Sequence, residues 1–97
     1  MQISVARVTI RLPENDNLKG KRRVVKSICT RVHNKFNVSI SEIDDNELWQ
    51  IASFGIVCAG NSSRITEGTL NSVLDYINAS RDDFEVIDIS QESLGGF

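Results

Sequence analysis

The 97-residue sequence predicts an α+β fold, a ferredoxin-like two-layer sandwich with two helices on one face of a four-stranded antiparallel sheet. Three observations lead there. Segments with strand patterning and segments with helix patterning alternate in the order strand, helix, strand, strand, helix, strand. Nothing between them reads as a linker, a repeat or a low-complexity tract. The composition is that of an ordinary folded domain, with 40% hydrophobic and 25% charged residues and a single proline, Pro13.

The first strand is expected from Ile3 to Leu12, where Ala6, Val8, Ile10 and Leu12 alternate with Val5, Arg7, Thr9 and Arg11. Pro13, Asn15, Asp16 and Asn17 supply turn chemistry, and Asp16 or Asn17 can cap the following helix through a side-chain oxygen. From Leu18 to about Asn34 the apolar residues Leu18, Val25, Ile28, Cys29 and Val32, continued by Phe36, fall at helical spacing and form one stripe. On the same wheel Lys19, Arg22, Arg23, Lys26 and His33 gather on one flank, whereas Lys21 lies beside the apolar stripe and has to snorkel.

A short second strand is expected over Val38–Ile43, its imperfect alternation suggesting a bulge or an edge position. Asp44, Asp45 and Asn46 then form a turn. Trp49 to Ala59 is the longest uncharged run, apolar on both faces as in a central strand. Asn61, Ser62 and Ser63 offer caps for a second helix whose Leu70, Val73, Leu74 and Ile77 share a face, with Gly68 weakening it slightly. Phe84–Ile89 reads as the fourth strand. Right-handed crossovers fold this order into a sheet of strand order 4-1-3-2, numbered along the chain. Residues 1–92 are expected to form the one domain and 93–97 a frayed tail.

Composition also bounds function. No apolar run approaches the roughly 20 residues that span a bilayer, and no signal peptide is visible, so a cytoplasmic protein without a membrane partner is expected. Cys29 and Cys58 each sit in an apolar run and read as small core hydrophobes rather than as a disulfide pair. The net charge of −2 is unremarkable, but its distribution is lopsided. Between Asn17 and Ser41 there is no acidic residue, while Lys19, Lys21, Arg22, Arg23, Lys26, Arg31 and Lys35 all fall there.

The order of residues along the chain resembles that of the YlxP-like family of small bacterial proteins. The similarity runs from Arg7 to Leu12, through Leu18-Lys19-Gly20-Lys21-Arg22-Arg23-Val24-Val25-Lys26-Ser27, then Phe36-Asn37-Val38-Ser39 with Glu42, to Leu48-Trp49-Gln50. The resemblance implies a ferredoxin-like fold. It names no activity, because the family is one of unknown function. In some bacteria its genes lie beside those for translation-initiation and ribosome-maturation factors, including ribosome-binding factor A, which implies an RNA-related role. Gly20, where family members commonly carry Glu, and the Gly-Gly-Phe tail depart from the family pattern. The first departure removes an acid from the start of the basic helix.

Two functions follow as expectations. The first is a non-catalytic module that binds RNA or a ribosomal particle, with Lys19, Lys21, Arg22, Arg23 and Lys26 meeting phosphates. The second is a protein-interaction or homodimerisation module that uses the sheet face opposite the helices, through Arg7, Arg11 and Trp49. On that face Arg7 and Arg11 are expected either to pair across strands with Glu42 or Asp88, or to be covered by a second subunit.

Catalysis is not expected. His33 stands four residues after Cys29, but Cys29 faces the core stripe and no third group orients the pair. One His and two separated Cys are too few for a zinc site, and Asp44, Asp45 and Glu47 lack the spacing of a calcium loop. The glycines make neither a phosphate loop nor a dinucleotide fingerprint, so no metal and no cofactor is expected.

Overall fold

The computed structural model describes residues 1–44, 48–80 and 83–97. Its elements are β1 (Gln2–Arg11), α1 (Leu18–Lys35), β2 (Ser39–Glu42), β3 (Ile51–Gly60), α2 (Ser63–Ala79) and β4 (Glu85–Leu94). One antiparallel sheet has the order β2-β3-β1-β4, so β1 and β3 are central and β2 and β4 are edges. This is the ferredoxin-like sandwich that the element order predicts. No described helix is long and apolar enough to cross a membrane.

The period-two pattern of β1 decides which face is which. Ser4, Ala6, Val8, Ile10 and Leu12 are buried toward the helices, and their partners Cys58, Ile56, Phe54 and Ala52 on β3 are buried with them. Ile28 and Val32 of α1, Ile40 of β2, Leu70, Val73 and Ile77 of α2, and Phe84 complete the core. The helix α2 lies over β1 and β3, while α1 lies toward β2. At the far end of α1, Phe36 meets Tyr76 edge to face, with ring centroids 5.6 Å apart.

Caps explain where the helices begin. Asn17 is the residue that caps α1, its side-chain oxygen accepting from the Gly20 N–H at 2.7 Å. For α2 the cap is Ser62, and here backbone does the work: its carbonyl accepts from the N–H groups of Ile65 and Thr66. Beneath that turn the hydroxyls of Ser4 and Thr66, both fully buried, meet at 2.8 Å. The chain continues through Ser93 to the Glu67 carboxylate, so no hydroxyl in this network is orphaned.

The strand boundaries differ from the sequence expectation at three points. The third strand starts at Ile51 rather than Trp49, because Leu48 and Trp49 are spent on a turn closed by the Ile51 N–H to the Leu48 carbonyl. The second is confined to Ser39–Glu42 and is an edge. The fourth runs to Leu94, which lies opposite Ile3, so the expected frayed tail is strand for its first two residues. A polar stretch such as Ser90-Gln91-Glu92-Ser93 carries no apolar alternation to reveal it. The expected turn at Asp44, Asp45 and Asn46 falls mostly outside the described residues, as do Glu47, Arg81 and Asp82.

Phe54 is fully buried between the two layers. Replacing it with Ala should destabilise the protein by about 3–5 kcal/mol in urea titrations, without changing the strand content seen by circular dichroism in the folded baseline.

Candidate nucleic-acid interface

The cations of α1 separate by their angle around the helix. At about 100° per residue, Lys19, Arg22, Arg23 and Lys26 fall within one strip about 100° wide, and Lys21 lies on the opposite side. The structure follows that geometry. Lys19, Arg22, Arg23 and Lys26 are exposed, and none of them forms an ion pair with another described residue. His33 continues the strip one helical stretch further on, also exposed.

Lys21 does not belong to this surface. Only 3% of it is exposed. Its ammonium group lies 3.6 Å from the Glu42 carboxylate and 3.3 Å from the Leu48 carbonyl, so it ties α1 to both ends of the β2–β3 connection. The expectation that it meets phosphate fails for a physical reason. A cation whose donors are held inside the fold by a carboxylate and a carbonyl cannot also reach a ligand in solvent. The apolar stripe of α1 is narrow enough that Lys21, next to Ile28 and Val32 on the wheel, is drawn in with it.

Arg7 and Arg11 project from the sheet face opposite the helices, and both are neutralised there. Arg7 pairs with Asp44, and the Arg11 guanidinium pairs with Glu85, its Nε donating to Oε1 at 2.7 Å. The expected partners were Glu42 and Asp88. Register explains the difference: Ser41 stands opposite Gly55 on the open face, so Glu42, one residue on, turns to the helix side and meets Lys21. A bulge at Ile87 shifts the pairing between Thr9 and Ile10, which brings Glu85 opposite Arg11. The rest of the open face is apolar at its other end, with Ile3, Val5, Val57, Ala59 and Leu94 in adjacent register positions.

Trp49 is 51% exposed and lies off the sheet, in the segment before β3. Its carbonyl accepts from the Asn15 side-chain amide at 2.6 Å, and the same amide donates to the Asn17 carbonyl at 2.7 Å. This segment is fastened again by Leu12 N–H to the Gln50 carbonyl at 2.7 Å. Trp49 is thus carried by the segment before β3 and the two arginines by β1.

Beside the basic strip a cleft of about 470 Å³ opens between α1 and the residues leading into β4. Arg23 belongs to both, as a wall of the cleft and an edge of the strip. Asn15 and Gly20 form one side, Asp83 and Glu85 the other, over Leu12, Val24 and Phe84. A second hollow of about 310 Å³ shares Arg23, Val24, Asp83 and Phe84 and extends the groove past Ser27 and Arg31 to Ser80. The sequence offers no sign of this groove, since its walls come from segments some 60 residues apart.

Cys29 is partly buried on α1, where burial and then the nearby Glu42 carboxylate push its thiol up from the ordinary value. At neutral pH it is a protonated thiol, while His33, the group sequence spacing paired it with, is exposed.

A family described as "Protein of unknown function (DUF503)" matches residues 3–91. The chain belongs to this family. A curated relative, the "Uncharacterized protein YlxP" of Bacillus subtilis (strain 168), is 52% identical over 63 residues, which cover 65% of this chain and 68% of the relative. The YlxP-like resemblance seen in the residues is thus a family membership.

The contrast between neighbouring lysines is measurable. Lys21→Ala should lower the unfolding free energy by about 1–3 kcal/mol, because it leaves Glu42 and the Leu48 carbonyl without their partner. Lys19→Ala, on the exposed strip, should stay within about 0.5 kcal/mol of the parent in the same denaturation experiment.

Proposed function

We propose that this protein is a non-catalytic binding module that associates with RNA, alone or in a ribonucleoprotein particle, through the outer face of α1. The observation that carries the reading is the state of Lys19, Arg22, Arg23 and Lys26: exposed, on one helical strip, and unpaired among the described residues. The described ion pairs lie elsewhere: Asp44 and Glu85 are engaged by Arg7 and Arg11 on the other face of the sheet, and Glu42 by Lys21 on the inner side of the helix.

Axial spacing suits a phosphate backbone. With a rise of about 1.5 Å per residue, the strip places its charges over about 10 Å, enough to follow two or three successive phosphates. Such contacts fix position and orientation without reading sequence. Two or three neutralised phosphates in a single-stranded complex give a slope of log affinity against log salt of about −1.4 to −2.1, so affinity should fall about 7- to 18-fold between 50 and 200 mM salt. Replacing Arg22, Arg23 and Lys26 together by Glu should abolish binding to a labelled RNA while leaving the thermal unfolding curve nearly unchanged. Binding that ignores salt, or that survives this triple substitution, removes the reading.

The second reading, a homodimerisation or protein-interaction module, has its support in the apolar end of the open sheet face, where Val57 is 42% and Leu94 40% exposed. Its measurement is light scattering over a range of concentrations. Self-association that Val57→Lys abolishes is the expected outcome on this reading, and a monomer at every concentration excludes a homodimer.

A further inference from the structure

We infer that the cleft beside α1 receives an unpaired base of the bound RNA, and that it favours bases carrying an exocyclic amino group. The inference rests on the RNA reading above and goes beyond it, since backbone contacts alone neither require single strands nor distinguish bases.

The argument begins with position around α1. Moving from the strip toward the core, the wheel passes Arg23, then Ser27, Gly20 and Arg31, then Val24, and reaches Ile28, within about 140° of arc. The first five of these line the groove. A backbone phosphate held by Arg23 therefore has the cleft immediately to its side, at the point where the attached nucleoside must go. At about 470 Å³ the cleft falls within the roughly 300–1,000 Å³ typical of sites for small organic groups. Its floor of Leu12, Val24 and Phe84 is apolar, as the face of a base requires.

The polar groups at the rim are mainly acceptors. Glu14 and Asp83 present carboxylates, and neither forms an ion pair with another described residue. Both amide protons of Asn15 have destinations, the carbonyls of Asn17 and Trp49, which leaves its Oδ1 as an acceptor next to Gly20. Glu85 is held by Arg11. Apart from Arg23, which is committed to the phosphate, these rim side chains accept, and acceptors match the N–H₂ group of cytosine or adenine and oppose the carbonyl oxygen that uracil carries in the same place. Gly20 keeps this space open: a Cβ there would collide with the Asn15 Oδ1.

The test compares oligocytidine with oligouridine, about 12 nucleotides each, by fluorescence anisotropy with the full chain at about 50 mM salt. The two carry the same number of phosphates and differ at the base edge. Oligocytidine should bind about tenfold tighter. In Asp83→Ala, an exposed position, and in Gly20→Glu, which fills the cleft, that ratio should fall toward one while salt-dependent binding of oligouridine persists. Equal affinity for the two oligomers in the parent protein overturns the inference and leaves the basic-helix reading standing. A preference that both variants retain also overturns it, because discrimination then lies elsewhere. Failure to bind either oligomer removes both readings together.

Discussion

The position of β1 between two antiparallel neighbours is the constraint from which the rest of the molecule follows. Each of its residues from Ile3 to Thr9 is matched on both sides, by β3 and by β4. Alternation then commits Ala6, Val8, Ile10 and Leu12 to the helix layer and Arg7 and Arg11 to the other face. A slip of one residue would exchange those sets, burying two guanidinium groups and exposing four apolar side chains, so a single register is strongly favoured. Because α1 starts only a short turn beyond β1, that register also sets where the basic helix begins and where the cleft below it opens.

Within α1 the same chemistry meets two opposite fates one residue apart. Lys21 is drawn inside to fasten the β2–β3 connection, and Arg22 is left in water. An ammonium on a flexible stem suits the inner role, since it can extend past apolar neighbours to reach a carboxylate and a carbonyl. The two arginines and two remaining lysines keep the outer one. The helix is therefore both a structural clamp, through Lys21, and a charged surface, through the four cations of its outer strip.

Much of this architecture is legible in the residues because it rests on local periodicity. The strands and helices, their order and the sheet order come from patterns of two and of three to four residues, and Asn17 was among the caps that turn chemistry nominated. The misreadings share a cause. Trp49 looks like strand because it adjoins an apolar run, yet a turn consumes it; Ser90–Ser93 looks like tail because its strand state depends on pairing with β1, not on its own side chains. Lys21 looks like its basic neighbours until the angular position is weighed above the charge. The partners of Arg7 and Arg11 depend on one bulge and on the face to which β2 turns, and neither is written in a short stretch of sequence. The cleft is further still from view, being a gap between elements.

Gly55 has a consequence for the sheet's outer surface. It lies opposite Arg7 on the open face, and the Ile43 side chain rests where a Cβ would be, with Cγ2 2.7 Å from that point. The Ile43 backbone N–H still bonds the Ser53 carbonyl at the sheet edge, while its side chain lies over Gly55 and the next residue, Asp44, pairs with Arg7. These side chains cover the Gly55 end of the open face. What stays open and apolar on that face lies at its other end, around Ile3, Val57 and Leu94, because a residue without a side chain lets Ile43 settle here.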